Sequence, residues 1–98
     1  MRVILIESRT GRVTELSDLS ADAVHFAVES GECEQVVTSN GDALLVTSTT
    51  PEPAITWGFE YEGVTYYGNG ALVGQADGEY TDAITSLDEV KENLGVRF

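Results

Sequence analysis

Positive charge is the scarcest commodity in this sequence. Its 98 residues include five Lys and Arg against seventeen Asp and Glu, for a formal net charge of -12. Between Arg12 and Lys91 there is no basic side chain apart from His25, whereas fifteen acids are spread through the same span. Affinity for a phosphate backbone comes mainly from Lys and Arg contacts that release counterions, so direct nucleic-acid binding is excluded as a leading reading. An anionic membrane surface is disfavoured on the same electrostatic ground. The single cysteine, Cys33, cannot form an internal disulfide framework or a thiolate metal cluster. The longest early apolar run, Val3–Ile6, is too short for a signal-peptide core or a membrane span. A cytoplasmic, soluble protein is expected, made of one domain covering residues 1–98.

Chemistry-bearing residues are few. His25 is the only histidine and lies on an expected helix four residues before Glu29, so no nucleophile and base can be paired from the sequence. Cys33 has no basic neighbour in sequence to stabilise a thiolate and reads as a small packed hydrophobe. Asp77, Glu79 and Asp82 carry oxygen ligands, but their spacing is not that of the twelve-residue calcium loop. Gly68-Asn69-Gly70, followed by Ala71–Gly74, has the glycines of a phosphate loop without its lysine or its helix. No catalytic residue, metal or cofactor is assigned, and a metal- or small-molecule-dependent enzyme is the weakest reading.

What the sequence does contain is strand pattern. Ile55, Trp57, Phe59 and Tyr61 alternate with Thr56, Gly58 and Glu60, the period-two signature of a half-buried strand. Glu62-Gly63 then supplies a two-residue turn. That turn sets Tyr61 against Val64, Phe59 against Tyr66 and Trp57 against Gly68, with Glu60 and Thr65 sharing the other face. A slip of one residue would destroy the match. Five of the eight aromatic residues lie between Trp57 and Tyr67, so the core is expected here, with Trp57, Phe59 and Tyr66 inside it and Tyr67 on the opposite face, either as an exposed contact residue or packed under a helix.

Two further hairpins are expected. Arg2–Glu7 and Arg12–Leu16 flank Ser8–Gly11; more than one register fits, and the four-residue loop that pairs Glu7 with Arg12 and Ile6 with Val13 is preferred because it matches opposite charges and apolar partners. Glu34–Thr38 and Ala43–Ser48 flank Asn40-Gly41; as a two-residue loop this pairs Val37 with Leu44 and Val36 with Leu45, and the aliphatic residues on both faces place the hairpin inside the sheet. A helix is expected after the capping oxygens of Ser17–Ser20, with Ala21, Val24, Ala27 and Val28 on one face and Gly31 as its stop. A second follows the capping box Ser86-Leu87-Asp88-Glu89 and stops at Gly95. Gly68–Gly70 breaks the strand, after which Ala71–Val73 either continues it past a bulge or begins a further short strand, and Gln75–Thr81 is a polar loop. The expected fold is therefore α+β: a mostly antiparallel sheet of about six strands in three hairpins, with two helices packed on it.

The order of these elements carries a resemblance. The opening Val3–Glu7 strand, the early helix, the Tyr67–Gly74 segment, the acidic loop and the closing Ser86–Glu89 helix resemble a family of short, uncharacterised proteins carried by phages and plasmids. The resemblance implies a mobile-element setting, in which small acidic proteins act by binding a host protein. It implies no catalytic residue.

Two functional readings follow. In the first, the acidic surface of a non-enzymatic binding protein engages a basic protein partner, and by imitating the phosphate array of a nucleic acid it inhibits a host defence or DNA-handling enzyme. Glu60, Glu62, Tyr67, Asp77, Glu79 and Asp82 are its candidate contact residues. In the second, the acidity serves solubility in an accessory domain from a salt-adapted organism, where salt screens the self-repulsion.

Overall fold

The two hairpins with the best-matched partners form as their side chains require. In the computed structural model, which describes residues 1–18, 20, 23, 24, 28, 33–50, 55 and 57–97 (96 and 97 by backbone alone), strands β1 (Val3–Glu7) and β2 (Arg12–Leu16) pair antiparallel with Glu7 opposite Arg12 and Ile6 opposite Val13. Strands β5 (Gly58–Tyr61) and β6 (Val64–Ala76) set Phe59 against Tyr66 and Tyr61 against Val64. The Phe59 and Tyr66 rings are tilted at 39° with centroids 5.6 Å apart. Strands β3 (Glu34–Val37) and β4 (Ala43–Ser48) complete the expected set.

Their register differs by one residue from the two-residue-loop expectation: Val36 faces Leu44 and Val37 faces Ala43. Asn40 is the reason. Its Oδ1 accepts from Thr38 Oγ1 at 2.9 Å and from Asp42 N at 3.2 Å, while Thr38 N donates to Asp42 O, closing a three-residue loop. Gly41 takes the left-handed φ of 93° that such a loop needs. The hairpin is only half interior, because β4 is flanked on both sides whereas β3 ends the strand path β2-β1-β6-β4-β3.

The α+β expectation needs correction. The sheet has eight strands, and the described residues contain one short helix, α1 (Leu87–Asn93), in place of two helices on about six strands. Two strands arise where none was expected. Asp77-Gly78 is a hairpin turn with both residues at positive φ (52° and 80°), so Gln75–Thr81 is no loop: β6 runs through Ala76 and returns as β7 (Glu79–Thr81). Gly95 does not follow the helix as a stop; α1 ends at Asn93 and β8 (Leu94–Arg97) pairs with β5, Gly95 lying opposite Glu60. The capping box at Ser86 forms, with Glu89 N donating to Ser86 Oγ at 3.2 Å. Most of the first expected helix, including Ala21, His25, Phe26, Ala27 and Gly31, lies outside the described residues. Within them, Val24 N donates to Ser20 O and Val28 N to Val24 O, and both valines are fully buried.

Strand β6 organises the rest. Of the two continuations open after Gly68–Gly70, the strand takes the bulge: Gly68 and Asn69 together oppose the single residue Thr47, with Gly68 at φ 84°. Thirteen residues of straight strand would span roughly 40 Å, more than the longest dimension of the molecule, 34 Å. The strand therefore bends. Its carboxyl-terminal part lies between β1 and β4 while its amino-terminal part carries β5 and β8. The bend closes a core between them, where Phe59, Tyr61 and Tyr66 meet Ile4, Ile6, Leu44, Val46 and Leu72 under Val90 of α1. On the other face of the sheet Val24 and Val28 cover Val3, Ala43, Leu45, Ala71 and Val73. Trp57 belongs to neither cluster, contrary to expectation: it precedes β5, and Gly68, whose N–H donates to Trp57 O, lies in the bulge.

Closure of the bend relies on Gly70. A Cβ there would stand 2.6 Å from Cζ of Phe59 and 3.0 Å from Cε1. Gly70→Ala is expected to destabilise the protein by about 1–3 kcal/mol through overpacking, lowering Tm by roughly 4–8 °C per kcal/mol for a domain of this size. Because the clash is with one ring, the loss should be smaller in a Phe59→Leu background. Equal losses in both backgrounds, measured by thermal unfolding, would refute the assignment of that contact.

Candidate functional site

A carboxylate with no exposure at all lies where three chain segments meet. Asp42 leaves the β3–β4 turn and accepts from Ile84 N at 3.0 Å, Thr85 N at 2.9 Å and Thr85 Oγ1 at 2.6 Å. Asn40 Nδ2 donates to Thr85 Oγ1 at 2.6 Å. A buried carboxylate is tolerable when donors take up its lone pairs, and here the donors come from the segment that leads into α1. The network is a structural latch that fixes the approach of that segment to the sheet.

The bend in β6 brings the β5–β6 turn to the same place. Glu62, at φ 51°, accepts from Ser39 N through Oε1 at 3.2 Å and donates its own N–H to Asn93 O at the end of α1. Beside it the Tyr61 hydroxyl is pushed above its usual range, first by burial and then by the Glu62 charge, with a hydrogen bond to Asn93 acting the other way. Tyr66 is raised for the same two reasons, burial first. On the far side of the latch Ala83 N donates to Arg2 O, and Asp82 Oδ1 accepts from Arg2 N at 2.6 Å. A continuous polar rim thus runs from Glu62 through Ser39, Asn40, Thr85, Asp42 and Ile84 to Asp82. The three large aliphatic side chains left exposed among the described residues all lie on it or within two residues of it: Ile84 at 73%, Val37 at 61% and Val64 at 52%.

Of the residues expected to contact a partner, Glu62 and Asp82 are exposed and belong to this rim. Glu60 is half-buried on β5 between Thr65 and Gly95. Tyr67 is also half-buried, paired with Gly58 on one side and Ser48 on the other. Asp77 and Glu79 are exposed at the β6–β7 hairpin; Glu79 borders a shallow concavity of about 490 Å³ with Met1, Gln35, Gly78 and Tyr80. Among the described residues no group of three His, Cys, Asp or Glu side chains is placed to hold a metal ion, and no helix is long and apolar enough to cross a membrane. His25 lies outside the described residues. Cys33 packs against the second core cluster, and burial raises its thiol above the usual range, which works against thiolate chemistry.

The sequence could not single out Asp42 from sixteen other acids, nor Ile84, whose N–H is bonded to Asp42 while its side chain stands exposed. The aspartate two residues after Asn40 in a hairpin loop was the only local hint. A second feature has no signal in the sequence: the Arg9 guanidinium lies over the Trp57 ring, 3.9 Å from its centroid.

No family model matches the chain, and no curated protein or solved structure matches it either.

Two outcomes follow. Asp42→Ala leaves buried donors of Ile84 and Thr85 without an acceptor and should cost roughly 2–4 kcal/mol, read as a lower urea midpoint with unchanged slope; Asp42→Asn, which keeps one acceptor oxygen, should cost less. The tyrosines give a pH signature. Raised folded values for Tyr61 and Tyr66 mean that their contribution to stability is complete below the ordinary tyrosine value of 10.0 and is lost as pH rises through the folded values. Tyrosinate absorbance in the folded protein should develop later than in urea; coincident curves would contradict the burial of these hydroxyls.

Proposed function

We propose that this is a non-enzymatic protein that binds a basic protein partner through the acidic rim between Glu62 and Asp82. The observation that carries the reading is the coincidence on one fixed rim of exposed carboxylates and exposed aliphatic side chains, Val37, Val64 and Ile84. A coat that served solubility alone would gain nothing from aliphatic groups exposed beside it. A partner segment carrying Lys or Arg alternating with apolar residues would be complementary to both.

Charge balance supports the same reading. The ion pair of Arg2 with Glu15, at 2.7 Å, is solvent-facing, and five Lys and Arg cannot balance seventeen Asp and Glu. Such a pair contributes about 0–1 kcal/mol. The remaining field must be screened from outside the chain, by salt or by a basic surface. A partner that normally binds nucleic acid has such a surface, which is how the carboxylates would occupy a phosphate-binding cleft in a mobile-element setting.

The competing reading, adaptation to a salt-rich solvent, differs in what salt does. Thermal unfolding from low to molar salt should show a protein already folded at low salt, and a basic amphipathic peptide should bind it with an affinity that falls as salt rises. Ile84→Ser and Glu62→Gln, both at exposed positions, should each weaken that binding several-fold without lowering Tm appreciably. A protein that folds only toward molar salt, or a peptide affinity indifferent to both substitutions, would overturn the proposal.

A further inference from the structure

The end of the sheet remote from the latch carries a different kind of site. At the β1–β2 turn, Ser8 N donates to Asn69 Oδ1 at 3.2 Å and Ser8 Oγ donates to Gly68 O at 2.6 Å, which fixes the turn to the bulge of β6. Trp57, half-buried, stands beside this junction and forms a wall of two small cavities. One, of about 210 Å³, is bordered by Glu7, Arg9, Thr10, Trp57 and Asn69. The other, of about 200 Å³, is bordered by Val28, Thr47, Ile55, Trp57, Gly68 and Asn69. Each is smaller than the 300–1,000 Å³ usual for cofactor or drug-sized ligands, and of a size for one side chain.

The contents of the first cavity indicate which side chain. Arg9 is exposed at the tip of the turn, yet its guanidinium rests on the Trp57 ring at 3.9 Å, a cation held by an aromatic face. Glu7, which borders the same cavity, supplies a carboxylate. Asn69 is nine-tenths buried, its Oδ1 is engaged by Ser8, and among the described residues no acceptor takes the two hydrogens of Nδ2. In a chain of net charge -12 the surrounding field favours cations and opposes anions. Arg9 is itself held only by an exposed contact on a flexible stem, so a competing cation can displace it at modest cost.

From this geometry we infer that the Trp57 notch is a seat for an arginine residue of another polypeptide, occupied in the unbound protein by Arg9. The incoming guanidinium stacks on Trp57 and pairs with Glu7, and a main-chain carbonyl of the same ligand accepts from Asn69 Nδ2. Arg9 then acts as a built-in competitor that swings out to admit it. The seat is separate from the Glu62–Asp82 rim and stands or falls without it.

Trp57 is the only tryptophan, so intrinsic fluorescence reports this seat directly. The probe is N-acetyl-L-arginine amide, titrated against sodium chloride at equal ionic strength and against N-acetylglycine as an anion control. The wild-type protein should show a weak saturable change, and Arg9→Ala should bind about 2–5-fold more tightly, the range of an exposed cation–π contact. Adding Glu7→Gln to Arg9→Ala should remove most of that gain, with circular dichroism confirming that both variants are folded. Ile84→Ser should leave the titration unchanged, which separates this seat from the acidic rim. No saturable response in Arg9→Ala, or a response to N-acetylglycine in place of the arginine amide, would overturn the inference.

Discussion

Everything in this molecule depends on the bend of one strand. β6 forms ladders with β1, β4, β5 and β7, and it can serve all four only by changing direction at the Gly68–Asn69 bulge. A straight strand would leave the aromatic hairpin projecting past the sheet, with Phe59, Tyr61 and Tyr66 facing water. Bent, it lays those rings on Ile4, Leu44 and Leu72 and brings the β5–β6 turn to within hydrogen-bond distance of the β3–β4 turn. Gly70 sits at the inside of the fold-back because the Phe59 ring occupies the space a side chain would need. Gly70 is thus a steric requirement of the closure, as is Gly68, where a Cβ would run into the Thr47 side chain.

The bend also explains how a strongly acidic chain can bury a carboxylate. Asp42 would be costly in an apolar setting, but the closure delivers the N–H groups of Ile84 and Thr85 and the hydroxyl of Thr85 to it. The donors are largely backbone, which matters in a sequence almost devoid of Lys and Arg. The same economy appears at Glu62, which accepts from Ser39 N, and at Asp82, which accepts from Arg2 N. Where side-chain cations are scarce, main-chain amides neutralise the carboxylates that hold structure, and the exposed carboxylates are left to solvent or a partner.

Local pairing was legible in the sequence and distant pairing was not. The register of β5–β6 followed from its aromatic and apolar partners, because a slip would have destroyed their match, and among the registers open to β1–β2 the one that pairs opposite charges and apolar residues is the one formed. The β3–β4 register shifted by one because the Asn40 side chain, and not the Asn-Gly dipeptide alone, closes the loop. The Asp77-Gly78 turn carried as strong a hairpin signal as Asn40-Gly41, but β7 is only the three residues Glu79–Thr81, too short to show the alternating run that marks a strand. β8 was hidden for another reason. Gly95 ends a helical pattern as a stop would, and only its pairing with Glu60, thirty-five residues away in sequence, makes it a strand residue. The candidate sites were less legible still, since Glu62 and Asp82 could be named but the latch between them depends on the bend.

Charge alone would make this surface attractive to any cation, and so would give it little discrimination. Discrimination requires groups whose placement is fixed and whose chemistry is not merely negative. The structure has two such places at opposite ends of β4: aliphatic side chains set beside carboxylates near Asp42, and the Trp57 face beside Glu7 near the bulge. Both are built on backbone locked by buried side-chain hydrogen bonds, Asp42 to Thr85 in one case and Ser8 to Gly68 in the other. A diffuse acidic field would then accelerate encounter with a basic protein, while the apolar and aromatic groups would select among basic proteins by what lies between their cations.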